Sequence, residues 1–110
     1  MSVAIVQTGI ANTASLLAAF QRQGVEAKLC NAAAEIISAA HLVLPGVGSF
    51  GAGMELLSSG GLVEPLRSRV LEGKPTLSVC LGMHLLCEKS EESPGVAGLG
   101  IFPIEVKRFS

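Results

Sequence analysis

The chain has 110 residues, of which 49% are hydrophobic and 15% charged, with a net charge of −1, a pI near 6.1 and a mean hydropathy of +0.55. That length suits one domain. No basic stripe speaks for nucleic acid, and no run of ~18 apolar residues speaks for a transmembrane helix. The three cysteines make neither a disulfide framework nor a zinc spacing, which fits a reducing cytoplasm. The opening from Met1 lacks the charged region of a signal peptide. A chain this apolar is expected to bury a large face against a partner or against further parts of its fold.

In chain order, Val3 to Val6 is a short apolar run, predicted as a strand covered on both faces. A loop follows to Thr13, with Asn12 or Thr13 able to cap the next helix. That helix is predicted over 14–23, with Leu16, Leu17 and Phe20 on one face and Gly24 as its stop. Residues 25–29 form a weaker strand and 32–39 a short helix. His41 to Leu44 is the third strand. It runs into Pro45-Gly46-Val47-Gly48-Ser49-Phe50-Gly51-Ala52-Gly53, where four glycines in eight residues are expected to bring bare backbone to the top of a strand. This is neither a dinucleotide fingerprint nor a P-loop. One or two helical turns are predicted over 54–59, then a helix over 62–72 with Pro65 tolerated in its first turn. Arg67, Arg69 and Lys74 are expected on a solvated helix face. The alternation of apolar and polar residues over 104–109 predicts a half-exposed strand.

The stretch that carries chemistry is Thr76-Leu77-Ser78-Val79-Cys80-Leu81-Gly82-Met83-His84-Leu85-Leu86. Strand-like character ends at Val79, and Leu81, Leu85 and Leu86 follow a helical period. Cys80 thus falls where a strand turns into a helix, the arrangement of a nucleophile elbow. A helix N-terminus favours thiolate over thiol, and Gly82 leaves room for another segment to approach the turn. The competing reading is a buried cysteine packed as a small hydrophobe. Cys30 and Cys87 are read that way, with Cys87 farther along the same helix and Glu88, Lys89, Glu91 and Glu92 at its solvated end; 91–95 is a surface loop. A Cys80–His84 dyad is weighed and set aside, because an elbow throws the cysteine away from the helix body. His41 reads as structural.

Strands alternating with helices imply βαβ crossovers and a three-layer, mostly parallel sheet. Sites in such sheets lie at the carboxyl ends of the strands. The Pro45–Gly53 loop and Cys80 both fall at such ends.

The strings Leu44-Pro45-Gly46-Val47-Gly48-Ser49-Phe50-Gly51 and Val79-Cys80-Leu81-Gly82-Met83-His84-Leu85-Leu86 resemble those of the class I glutamine amidotransferases, and in particular the glutaminase subunits of imidazole glycerol phosphate synthase. The likeness runs along the whole chain, including Ser93 to Gly100. It implies a flavodoxin-like α/β fold, here a single domain over 1–110 that lacks its C-terminal part. It implies hydrolysis of L-glutamine to glutamate and ammonia in the cytoplasm, in a heterodimer with a (βα)8-barrel cyclase subunit that uses the ammonia in histidine biosynthesis. By the same resemblance Cys80 is the nucleophile that forms a glutamyl thioester. The N–H of Leu81 and the Gly46–Val47 peptide make the oxyanion hole, and Gly48 and His84 lie against the substrate; no metal or cofactor is implied. Two other readings are a non-catalytic binding fragment of the same fold and a deglycase- or protease-like elbow-cysteine enzyme. The last usually has His directly after the cysteine, where Leu81 stands here.

Three departures from the family pattern stand out. Ser78 occupies a position where the family usually has Gly, and His84 one where it has Gln. The family's catalytic base is a His in a His-x-Glu pair far downstream of the nucleophile, in chains of roughly 200 residues, and no such pair occurs before Ser110.

Overall fold

The computed structural model describes residues 2–7, 13–46, 49–79 and 81–107. Its centre is a sheet of four parallel strands in the order β2-β1-β3-β4: β1 (Ser2–Val6), β2 (Glu26–Cys30), β3 (Leu42–Leu44) and β4 (Thr76–Ser78). The period of two in β1 decides the two faces. Val3 and Ile5, with Val43, pack under α1 (Thr13–Arg22) through Leu16, Leu17 and Phe20. Ala4 and Val6, with Leu42 and Leu44, face α2 (Ala33–Ser38), α3 (Phe50–Ser59) and α4 (Val63–Leu71) through Ile36, Met54, Leu57 and Leu66. The order of strands reverses between β1 and β3, the switch that places a site at their carboxyl ends. The expected three-layer α/β fold is therefore the observed one. Gly24 stops α1 as predicted: its φ of 74° suits glycine, and its N–H donates to the Gln21 carbonyl at 3.0 Å.

The two faces are covered unequally. Beside α1, a groove of about 410 Å³ runs over β3 and β4, lined by Val3, Phe20, Val43, Pro75 and Leu77 among others, and Leu77 is 57% exposed. His41 precedes β3 and lines the same groove; its backbone carbonyl accepts from Ala4 N–H at 2.9 Å, and its Nδ1 is buried with no hydrogen-bond partner among the described residues. None of the helices is long and apolar enough to cross a membrane among the described residues.

The second half of the chain departs from expectation in three places. First, α3 begins at Phe50, four residues before the predicted turn. Ser49 caps it, its Oγ accepting from Ala52 N–H at 3.2 Å, and Phe50, Met54 and Leu57 are buried. That burial outweighs the helix cost of Gly51 and Gly53, about 1 kcal/mol each.

Second, the helix after position 80, α5 (Leu81–Leu85), is short, and β5 (Cys87–Ser90) follows almost at once. Cys87, Glu88 and Lys89 are therefore strand residues and not a helix end. The cause is tertiary: the Leu86 carbonyl accepts from Ile101 N–H at 2.9 Å and Phe102 N–H at 3.1 Å, so the returning chain captures backbone that a longer helix would have used. β5 pairs in parallel with β6 (Phe102–Val106). β6 starts before the predicted strand; residues 108–109 lie outside the described ones, and Ile104 is exposed and not on a buried face.

Third, Arg69 is not on a solvated face; it is 1% exposed. Its guanidinium donates to the Ile36 carbonyl at 3.0 Å, the Ala39 carbonyl at 2.5 Å, the Pro75 carbonyl at 2.7 Å and Thr76 Oγ1 at 3.1 Å. The end of α2 presents unpaired carbonyls and partial negative charge, which a planar fork of five donors can satisfy. Lys74 donates to the Ile37 carbonyl at 3.0 Å, and Arg67 donates to the Leu99 carbonyl. Burial pulls the Arg69 guanidinium below its usual pKa, partly offset by the Cys30 thiol. Arg69→Ala strands the buried Ile36 carbonyl at ~1–3 kcal/mol, loses its bonds to the part-buried Ala39 and Pro75 carbonyls and opens a cavity besides, so a loss of about 3–5 kcal/mol is expected. Urea unfolding followed by circular dichroism measures it, and a change within 1 kcal/mol of zero, on the order of a surface substitution, would contradict this arrangement.

Candidate active site

Thr76–Ser78 continues the sheet on the edge of β3, and α5 starts at Leu81. The two are tied together: the Gly82 N–H donates to the Val79 carbonyl at 2.9 Å. Cys80, the predicted nucleophile, falls between them in sequence and lies outside the described residues, as do Val47 and Gly48. The flanking elements are those an elbow requires.

Gly82 shows what brings the elbow and the glycine-rich loop together. A Cβ on Gly82 would stand 2.0 Å from the Leu44 carbonyl oxygen and 2.9 Å from its carbon. Only hydrogen fits there, so the first turn of α5 lies flat on the end of β3. The same Leu44 carbonyl accepts from Val79 N–H at 3.0 Å. Directly after Leu44 come Pro45 and Gly46, both buried. The room that Gly82 was expected to leave is taken by the strand that feeds the loop. Leu81 supplies the first N–H of α5, at the free-donor end of a helix.

His84 lies one turn along α5, half-buried. It lines a cleft of about 560 Å³ with Ser90, Glu91, Glu92, Val106 and Lys107. Two carboxylates and an ammonium converge there, with Lys107 Nζ 3.8 Å from Glu105 Oε1. Ser78, which stands where the family usually has glycine, has its hydroxyl buried without a hydrogen-bond partner among the described residues.

Sequence reasoning missed Glu92 and Ser93, read as a solvated end and a surface loop. Glu92 Oε1 accepts from Phe50 N–H at 2.7 Å, and Ser93 Oγ from Gly51 N–H at 2.9 Å. With Ser49 on Ala52 N–H, the N-terminus of α3 is closed. The partners are 42 residues apart in sequence, so no local pattern announces them. Among the described residues no group of His, Cys, Asp and Glu could hold a metal ion.

The two described thiols are core fillers, as read from sequence. Cys30 is 3% exposed and Cys87 5%. Burial raises both pKa values, and for Cys30 the Glu35 carboxylate adds to it. A raised pKa leaves less thiolate at neutral pH, so both should be poor nucleophiles. Iodoacetamide at pH 7, mapped by mass spectrometry, is expected to label Cys80 first. Earlier labelling of Cys30 or Cys87 would remove the elbow reading.

Residues 4–105 match the family model described as Glutamine amidotransferase class-I. The chain belongs to the class-I glutamine amidotransferase family. It is 44% identical over 107 residues to imidazole glycerol phosphate synthase subunit HisH of Methanothermobacter thermautotrophicus, covering 96% of this chain and 52% of that one. It is 42% identical over 109 residues to imidazole glycerol phosphate synthase hisHF of Schizosaccharomyces pombe, covering 99% of this chain and 20% of that one. The chain thus spans about half the length of the HisH relative and about a fifth of the hisHF relative. A crystal structure of a glutamine amidotransferase superposes with a TM-score of 0.78 at 24% identity, covering 96% of this chain and 56% of that one. A putative peptidase E protein from Listeria monocytogenes reaches 0.72 at 10% identity, covering 93% and 63%; at these identities both likenesses speak for the fold alone.

Proposed function

We propose that the chain is the nucleophile-bearing part of a glutaminase that releases ammonia from L-glutamine for the cyclase subunit of an imidazole glycerol phosphate synthase. Cys80 Sγ attacks the side-chain amide carbon. The tetrahedral oxyanion collapses with loss of ammonia to a glutamyl thioester, and water cleaves that to glutamate and the thiol. The Leu81 N–H and the Gly46–Val47 peptide serve as oxyanion donors, each worth a few kcal/mol of barrier. Gly48 leaves space for the substrate, and the cleft at His84, with Glu91, Glu92 and Lys107, suits the zwitterionic head of an amino acid. The observation that carries the reading is the seat of Gly82 on the Leu44 carbonyl, which sets the elbow against the strand leading into Pro45-Gly46.

The test is coexpression of the chain, joined to the second half of a HisH relative, with the cyclase subunit of that relative's organism. Co-purification of the two, and glutamate release that Cys80→Ala abolishes in the assembled enzyme, would support the reading. No association would remove the assignment to histidine biosynthesis, and turnover that survives Cys80→Ala would remove the nucleophile.

A further inference from the structure

The unequal cover of the two sheet faces follows from the way the chain is connected. The step from β1 to β2 runs one way along the sheet, and the steps from β2 to β3 and from β3 to β4 run the other way. Right-handed connections then place α1 on one face and α2, α3 and α4 on the other, which is how they pack. Among the described residues no connection after α1 runs back in its direction. After β4 the chain leaves this sheet for β5 and β6. On the α1 side, β3 and β4 therefore receive no helix of their own from the described residues, and the groove of about 410 Å³ lies there.

Parallel sheets are apolar on both faces because helices cover both, and this face has the composition of a covered one. Alternation along β4 turns Thr76 to the α4 side, where Arg69 Nε donates to its Oγ1 at 3.1 Å. It turns Leu77 to the groove, where the side chain is 57% exposed. Val3, Phe20 and Val43 continue the apolar lining. At one end His41 Nδ1 is buried with no hydrogen-bond partner among the described residues, and such a group calls for a polar neighbour. His41 and Pro75 precede β3 and β4, so the groove opens at the amino ends of these strands, away from the carboxyl ends that carry the candidate active site.

We propose that this groove is the seat of an amphipathic helix from the second half of a HisH-length chain, lying beside α1 with its apolar stripe on Leu77 and Phe20. The chain spans about half the length of its HisH relative, so a stretch of similar length is there in that relative to supply the helix. A layer on each face is what a parallel sheet takes from its own chain. A partner that collects product at the carboxyl ends of the strands has no need of the amino ends. The inference stands apart from the chemistry at Cys80, and its failure leaves the glutaminase reading in place.

The test compares the 110-residue chain with the same chain joined to the second half of the Methanothermobacter thermautotrophicus HisH subunit. Leu77→Cys, treated with N-ethylmaleimide and mapped by mass spectrometry, is expected to react readily in the first and at least ~10-fold more slowly in the second, where it opens only by local unfolding. Glu26→Cys, on β2 at the far edge of the sheet, should react alike in both. Leu77→Glu should shift the unfolding temperature of the 110-residue chain by less than about 4 °C, as a surface change does, and lower that of the joined chain by about 10 °C, because there the carboxylate is buried. Photo-leucine incorporated for leucine should link position 77 of the joined chain to second-half residues three or four apart in sequence, the spacing of one helix face. Equal labelling of Leu77→Cys in the two chains, links spaced as along a strand, or a joined chain without a cooperative unfolding transition overturns the proposal. So does protection that requires the cyclase subunit, which assigns the groove to that partner, or protection that grows with the concentration of the 110-residue chain, which assigns it to a second copy.

Discussion

Gly82→Ala is expected to abolish stable folding of the elbow. The added methyl would lie 2.0 Å from the Leu44 oxygen, and that oxygen is backbone in a strand paired on both sides. Neither partner can give way by a side-chain rotation. Either α5 lifts off the sheet, losing the burial of Leu85 and Leu86, or β3 shifts and breaks its register. Overpacking usually costs ~1–3 kcal/mol, but a clash between two fixed backbones belongs to the tail beyond about 4 kcal/mol. A useful comparison is Gly73→Ala. Gly73 has φ 79° and open space around its hydrogens, so alanine there should cost only left-handed strain, about 1–2 kcal/mol. Thermal unfolding of both variants measures the contrast. A Gly82→Ala chain as stable as Gly73→Ala would mean that α5 does not rest on β3.

The same contact shows what is legible in the sequence. Gly82 was readable as a place where another segment comes close, because a glycine just inside a helix after a strand has few other uses. The segment was not readable: it is the Leu44 carbonyl, 38 residues earlier in the chain. The strands β1 and β3 were legible as apolar runs, and β2 and β4 as short stretches set between helical periods, signals confined to a short window. Arg69 was not, because its acceptors are carbonyls at the end of α2 and the start of β4, and a single arginine in a helix looks the same whether solvated or buried. Glu92 and Ser93 sit among other polar residues, so their bonds to α3 have no local signature. β5 was hidden for a related reason. Leu81, Leu85 and Leu86 do make a helical stripe, but Cys87 pairs opposite Phe102, and pairing between distant residues overrides propensity. Of the six site residues named from sequence, the structure describes Gly46, Leu81 and His84. It brings the elements that carry Gly46 and Leu81 into contact and sets His84 beside a charged cleft. The contrast is physical: short-range periodicity is written in one stretch of chain, whereas capping and carbonyl satisfaction are settled only by the fold.

The 110-residue chain alone is expected to hydrolyse glutamine at least ~10²–10⁴-fold more slowly than an ordinary glutaminase, the usual cost of a missing general base. The thioester route needs a group that takes the thiol proton, returns a proton to the departing ammonia and then activates water. The sequence contains two histidines, His41 and His84. His41 lines the groove over β3 and β4, at the end of β3 opposite to Leu44. His84 lies on α5 and faces the cleft with Ser90, Glu91 and Lys107, a place suited to holding a substrate. A helix N-terminus can raise the thiolate fraction, but it cannot carry protons between groups. Residues that act as a unit lose nearly everything when one is absent, so the deficit can exceed the figure for a base alone. The assay is glutamate release from glutamine by the 110-residue chain, beside its Cys80→Ala and His84→Ala variants. All three are expected near background, and joining the second half of a HisH relative to the unsubstituted chain is expected to raise turnover. Ordinary enzymatic rates that depend on Cys80 and vanish in His84→Ala would refute this and make His84 the base, an i, i+4 partner within the elbow itself.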